Sequence, residues 1–315
     1  MRHRWPRCVG AFLLPGALLI GLPACNDAAI PASDIVDERI PIATDASTGI
    51  GATDQQELKI LAIGNSFSVN ALQYVWEIAS DLGFSSVKLG NLVIGGCTLY
   101  THNTFAKADR DAYTFYTNSN GKWSGTASYK MSDAIQSDDW DFISLQQSSG
   151  KSGIADTYNA DLTELADYVH QLAPNAKLVW HMTWAYAQNS THSEFSQYGS
   201  DQLRMYQNIV SAVQEKVLAN RLFSKVIPSG TAIQNARTSY IGDTLTQDGH
   251  HLAPLGCYIA GLTYFHSLTG ISLKDLNYIP EGLSAADQKI AIEAAASAVA
   301  APFAVTDSVF TKAPA

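Results

Sequence analysis

The chain has 315 residues, of which 46% are hydrophobic and 16% charged, and it carries a formal net charge of −9. That composition excludes whole-chain disorder, a collagen repeat and a coiled coil. The acid excess leaves no basic footprint for tracking a nucleic-acid backbone.

Residues 1–24 carry Arg2, Arg4 and Arg7 ahead of an apolar run from Cys8 to Leu22. A basic start followed by a short apolar stretch is the pattern of a secretory signal. The segment Leu22-Pro23-Ala24-Cys25 resembles the lipobox of bacterial lipoproteins, which implies cleavage before Cys25 and diacylation of its thiol. The expected product is exported and lipid-anchored in the bacterial cell envelope, at the outer membrane or cell surface. Loss of residues 1–24 removes three arginines and no acid, moving the net charge from −9 to −12. Attraction to anionic lipid then contributes little, and the acyl chains must do the anchoring.

Residues 25–57 are rich in Ala, Asp, Ser and Thr and show neither helical nor strand period, as expected of a tether. From Leu58 the texture changes. Leu58–Ile63 is an apolar run ending at Gly64, and apolar residues at helical spacing follow from Val69 to Ile78. Strands are expected at 87–94, 142–145, 177–184 and 225–229, and helices at 160–172, 201–218, 256–268 and 285–301. The stretch 102–132 is polar and aromatic, fits neither period, and is expected to be an insertion on the sheet rim. Strands alternating with helices imply an α/β fold, a parallel sheet between two helical layers. One domain, 58–305, accounts for the pattern, with residues 306–315 as a C-terminal tail.

In open parallel sheets ligands bind beyond the carboxyl ends of the strands, and four polar clusters fall at such ends or in the loop before a late helix. The first is Gly64-Asn65-Ser66-Phe67. A serine at a strand-to-helix turn either caps the helix or exposes a nucleophilic hydroxyl. The second, Asp248-Gly249-His250-His251, places a carboxylate three residues before an imidazole, where it can fix the tautomer. Vicinal histidines also invite a metal, but no third ligand stands at zinc-like spacing and none is expected. The third and fourth, Gly95-Gly96 and Gln146-Gln147, offer amide donors. Cys97 and Cys257 remain in an exported chain, either bridged or as two buried thiols.

In this order the four clusters resemble the SGNH (GDSL-like) hydrolase superfamily, closest to a branch of unknown function whose first block reads Gly-Asn-Ser-Phe. The resemblance implies a flavodoxin-like, three-layer α/β/α sandwich around a five-stranded, mainly parallel sheet. It implies Ser66 as nucleophile, His251 as base and Asp248 as its partner, with His250 a bystander. It places the oxyanion hole at the amides of Ser66 and Gly96 and the side chain of Gln146, with Gln147 as second choice for that side chain. Asn65, Gln147, His181 and Trp184 are then expected at the substrate. The usual Gly-x-Asn-Asp block is replaced by Leu145-Gln-Gln-Ser148, a departure that falls on the third donor. The implied activity needs no cofactor: hydrolysis of O-acyl, chiefly O-acetyl, esters of a glycan or small acylated molecule. A lipase, or a glycan-binding scaffold without catalysis, is the alternative. No feature speaks to the oligomeric state.

Overall fold

The computed structural model describes residues 56–314. The expected signal at 1–24, the lipidation site Cys25 and nearly all of the tether lie outside those residues. Glu57–Gly64 (β1) is buried on both faces from Ile60 onward, as a central parallel strand must be. It feeds two short helices, Ser66–Leu72 (α1) and Val75–Asp81 (α2), where one continuous helix was expected. Ser86–Val93 (β2) returns parallel to β1, and Leu99–Lys107 (α3) follows.

The supposed rim insertion is part of the sheet. Tyr113–Asn118 (β3) pairs antiparallel with β2, and Ser124–Tyr129 (β4) pairs antiparallel with β3. Thr, Tyr and Phe suit a pleated surface, but β4 is exposed along nearly its whole length and carries no apolar alternation to reveal it. The chain continues through Met131–Ile135 (α4), Phe142–Leu145 (β5), Asn159–Leu172 (α5), Lys177–His181 (β6) and Gln202–Ala212 (α6). Phe223–Ile227 (β7) comes next, then Ser229–Arg237 (α7), Pro254–Thr269 (α8) and Ala285–Ala300 (α9).

The sheet runs β4-β3-β2-β1-β5-β6-β7. Its five parallel strands, in the order β2-β1-β5-β6-β7, are the five expected, and the hairpin β3–β4 extends them to seven. One helical layer contains α1, α2, α8 and α9, the other α3, α4 and α5. Helix α7 escaped expectation because all nine of its residues are buried, so it shows no polar face. The expected C-terminal tail is strapped down: the Thr306 amide donates to Asn235 Oδ1 and that of Ser308 to Thr238 Oγ1. Among the described residues no helix is long and apolar enough to cross a membrane.

Candidate active site

The turn after β1 assigns its polar groups unambiguously. Asn65 is extended (φ −142°, ψ −157°) and is itself the cap of α1: its Oδ1 accepts from the Phe67 amide at 3.0 Å. The cap being Asn65, the Ser66 hydroxyl is free for other work. At position N1 the Ser66 amide also has no intrahelical acceptor.

The partner turn arrives from the far end of the chain. Asp248 Oδ1 accepts from the amides of His250 (3.0 Å) and His251 (2.7 Å), and its Oδ2 meets His251 Nδ1 at 2.7 Å. Gly249 makes the turn possible, with φ +88° and no room for a Cβ against Ser190. Leu252 donates its amide to Asn70 Oδ1 on α1 at 3.0 Å, tying the turn to the serine's helix. His251 Nε2 then stands 2.8 Å from Ser66 Oγ.

The electrostatics fix the proton positions. Partial burial opposes the charge on Asp248, but the His251 side chain and the two backbone amides outweigh it and hold the carboxyl at about 2. An ionised carboxylate only accepts, so neutral His251 carries its proton on Nδ1 and leaves Nε2 to accept from the Ser66 hydroxyl. Three groups thus touch in series, positioned to pass a proton from serine to histidine.

Other expected site residues sit elsewhere. Gln146 is 2% exposed; its Nε2 donates to Asn65 Oδ1 at 2.9 Å, and its Oε1 meets His181 Nδ1 at 2.9 Å. It braces the nucleophile turn from beneath instead of donating to an oxyanion. Gln147 does not replace it, since Nε2 binds Thr157 and Oε1 takes the amides of Leu99 and Ser148. Asn65 is buried, its Nδ2 donating to the Cys97 carbonyl, so it shapes the turn without facing a ligand. His181 is buried between Gln146 and Ser229, and burial lowers its pKa to about 3. Trp184 is fully buried, stacked on Phe67, with Nε1 donating to the His250 carbonyl at 2.8 Å. Gln146, Gln147 and Asn65 thus satisfy buried backbone and side chains, and His181 and Trp184 serve the core in the same way.

Gly96 lies exposed after β2 with φ +63°, and the amides of Gly95 and Gly96 have no acceptor among the described residues. Cys97 and Cys257 form no bridge. Both are buried thiols facing backbone carbonyls, of Thr98 and Leu252, and burial pushes both up to about 12. Asp248, His250 and His251 bring ligand atoms within 4.8 Å of one another, the kind of cluster that can hold a metal. Two of its members, however, are already hydrogen-bonded together and onward to Ser66.

A cavity of about 530 Å³ opens beside Ser66 and His251. Asn91, Tyr116, Trp123 and Val93 line it together with Gly95, and no Lys, Arg, Asp or Glu does. Trp123 is one of four tryptophans (with Trp76, Trp140 and Trp184) that the sequence offers for stacking on a sugar face, whereas Tyr116 was missed because it belongs to the unrecognised hairpin. Asn91 carried a signal: it is the one polar residue among the buried positions of β2.

The family model for DUF4886, a domain of unknown function, matches residues 59–298. A DUF4886 family protein of known structure from Bacteroides uniformis is 40% identical, with 82% of this chain and 100% of that chain covered and a TM-score of 0.79. The chain is also similar, at 18% identity, to a candidate SGNH hydrolase from Slackia heliotrinireducens (67% of this chain, 98% of that one, TM-score 0.44). At 14% identity it is similar to a carbohydrate esterase family 3 protein from Talaromyces cellulolyticus (68% and 97%, TM-score 0.45). No curated protein matches significantly. With its domain matched almost end to end, the chain belongs to the DUF4886 family.

Proposed function

We propose that the protein is a serine esterase of the SGNH type that removes O-acyl groups, with a carbohydrate as the favoured alcohol. The observation that carries this reading is the unbroken series Ser66 Oγ, His251 Nε2 and Nδ1, Asp248 Oδ2, at 2.8 and 2.7 Å. His251 takes the hydroxyl proton as Ser66 Oγ bonds to the ester carbonyl carbon, and Asp248 stabilises the resulting imidazolium. The carbonyl oxygen, now anionic, is held by the backbone amides of Ser66 and Gly96. The proton on Nε2 passes to the departing alkoxide, and the alcohol leaves an acyl-serine. Water repeats the sequence, yielding the free acid and the serine. No step calls on a cofactor.

The glycan part of the reading is supported by the cavity, whose lining is neutral and offers amides and aromatic faces to an uncharged, hydroxylated molecule. A fluorophosphonate probe tests the nucleophile: Ser66 is expected to label, and Ser66→Ala to abolish both labelling and hydrolysis of acetylated sugars. An unlabelled Ser66 in folded protein would favour a binding module on the same scaffold. Short against long acyl esters would separate an acetylesterase from a lipase. We also propose export through residues 1–24 and lipidation of Cys25. In a bacterial host, palmitate label lost on Cys25→Ala is the expected result, and retained label would refute it.

A further inference from the structure

The hairpin β3–β4 places its aromatic residues with care. Asn91 on β2 pairs directly with Tyr116 on β3, and Tyr116 with Gly125 on β4. Directly opposed residues share a sheet face, and Asn91 and Tyr116 both line the cavity beside Ser66. The Tyr116 ring lies on Gly125 so closely that a Cβ there would come within 2.8 Å of Cε1. The half-buried Trp123, just before β4, completes the wall.

Asn91 is 2% exposed, and its polarity follows from proton counting. Ser68 Oγ lies 2.7 Å from the Asn65 carbonyl oxygen and 2.8 Å from the Asn91 side-chain amide. A hydroxyl has one proton and a carbonyl oxygen has none. One proton cannot serve two oxygens at 2.7 and 2.8 Å, and both contacts are satisfied only with the Asn91 NH2 toward Ser68 and the hydroxyl proton toward Asn65. The Asn91 amide oxygen then has no partner among the described residues and belongs to the cavity side. Amide oxygen and nitrogen are told apart only by such bonding logic. An acceptor without such a partner, opening on a cavity beside two aromatic faces, suits a ligand that brings a hydroxyl and a flat apolar face together. The neutral lining has no cation to meet a phosphate or carboxylate, and a bare alkyl chain would leave the acceptor unsatisfied.

We propose that Asn91, Tyr116 and Trp123 form a sugar subsite beside Ser66, in which a ring hydroxyl donates to the Asn91 oxygen while the sugar face lies on the aromatic wall. The kinetic arm of the test rests on the esterase reading; the binding arm does not. In the kinetic arm, kcat/KM for 6-O-acetylglucose and methyl 3-O-acetylxyloside is compared with that for propyl acetate. The parent is expected to prefer at least one sugar ester by tenfold or more. Asn91→Leu and Trp123→Ala should each reduce that preference about tenfold, mainly through KM, and Trp123→Leu serves if the alanine variant fails to fold. No preference in the parent, or preference intact in folded variants, overturns the subsite. In the binding arm, saturation-transfer NMR follows methyl β-glucoside and methyl β-xyloside on the Ser66→Ala protein. Signal lost with Trp123→Leu supports the subsite; no signal from either sugar overturns it. If Ser66 neither labels nor hydrolyses any ester while sugar binding persists, the esterase reading falls and the subsite stands.

Discussion

Phe67 lies flat against Trp184, ring centroids 4.2 Å apart and planes 6° from parallel. The neighbour of Ser66 thereby rests on the indole whose Nε1 holds the His250 carbonyl at 2.8 Å. The nucleophile's helix and the histidine turn are coupled through one buried stack.

Trp184→Phe keeps a ring on Phe67 and removes the donor to His250. We expect kcat on an acetyl ester to fall about tenfold with KM nearly constant, because small displacements of a catalytic group are costly. Steady-state kinetics beside a melting curve check this; an equal loss in KM would place Trp184 in substrate binding after all.

Asp248→Asn removes the charge that orients His251 while preserving shape. The proposed mechanism predicts a fall in kcat of about 10³–10⁴-fold, the scale seen when a serine hydrolase loses this carboxylate. Activity within tenfold of the parent would remove Asp248 from the mechanism.

Gln146→Ala distinguishes a brace from an oxyanion donor. Loss of a donor to the anion costs about 10²–10³-fold in kcat with little change in stability. The buried bonds of Gln146 to Asn65 and His181 predict the reverse: a stability loss of about 1–3 kcal/mol. Denaturant unfolding and kcat measured on the same variant separate the two.

Acid should weaken the fold in two stages. Burial lowers both His181 and His102 to about 3, whereas an unfolded histidine titrates near 6.5. Between those values the unfolded chain binds protons that the folded chain refuses. Stability is therefore full above about pH 6.5 and falls as pH drops, by up to about 1.4 kcal/mol per pH unit for each histidine. Asp248, held at about 2, adds a second loss between about pH 4 and 2 as its carboxylate protonates. Urea unfolding at pH 7, 5.5 and 4.5 should show the first stage, shallower in His181→Gln. Constant stability across that range would contradict two buried neutral histidines.

Chemistry was more legible in the sequence than its surroundings. The run Leu58–Ile63, the serine two residues after Gly64 and the Asp248–His251 spacing are local patterns, and local patterns survive folding. The family of unknown function found by comparison is the kind that Gly64–Phe67 pointed to. The sequence could not decide whether Gln146, Gln147, His181 and Trp184 line the pocket or serve the core, because a polar group at a strand end looks the same whether it faces a ligand or pairs with a buried carbonyl. Only three-dimensional partners decide that. The cavity wall was hidden for another reason: β4 reads Ser-Gly-Thr-Ala-Ser-Tyr, and its pairing with β3 follows from tertiary contact, not from propensity.

Strand β4 is also one of the two outer strands of the sheet, and an unpaired outer strand invites another molecule to continue it. Here the register with β3 slips between Tyr113 and Phe115, and Ser128 adopts a left-handed conformation with φ +55°. An incoming strand would lose its ladder at that kink after a few residues. The irregularity therefore acts as a guard against fibril-like growth along β4, whose exposed residues carry no charge to repel a neighbour.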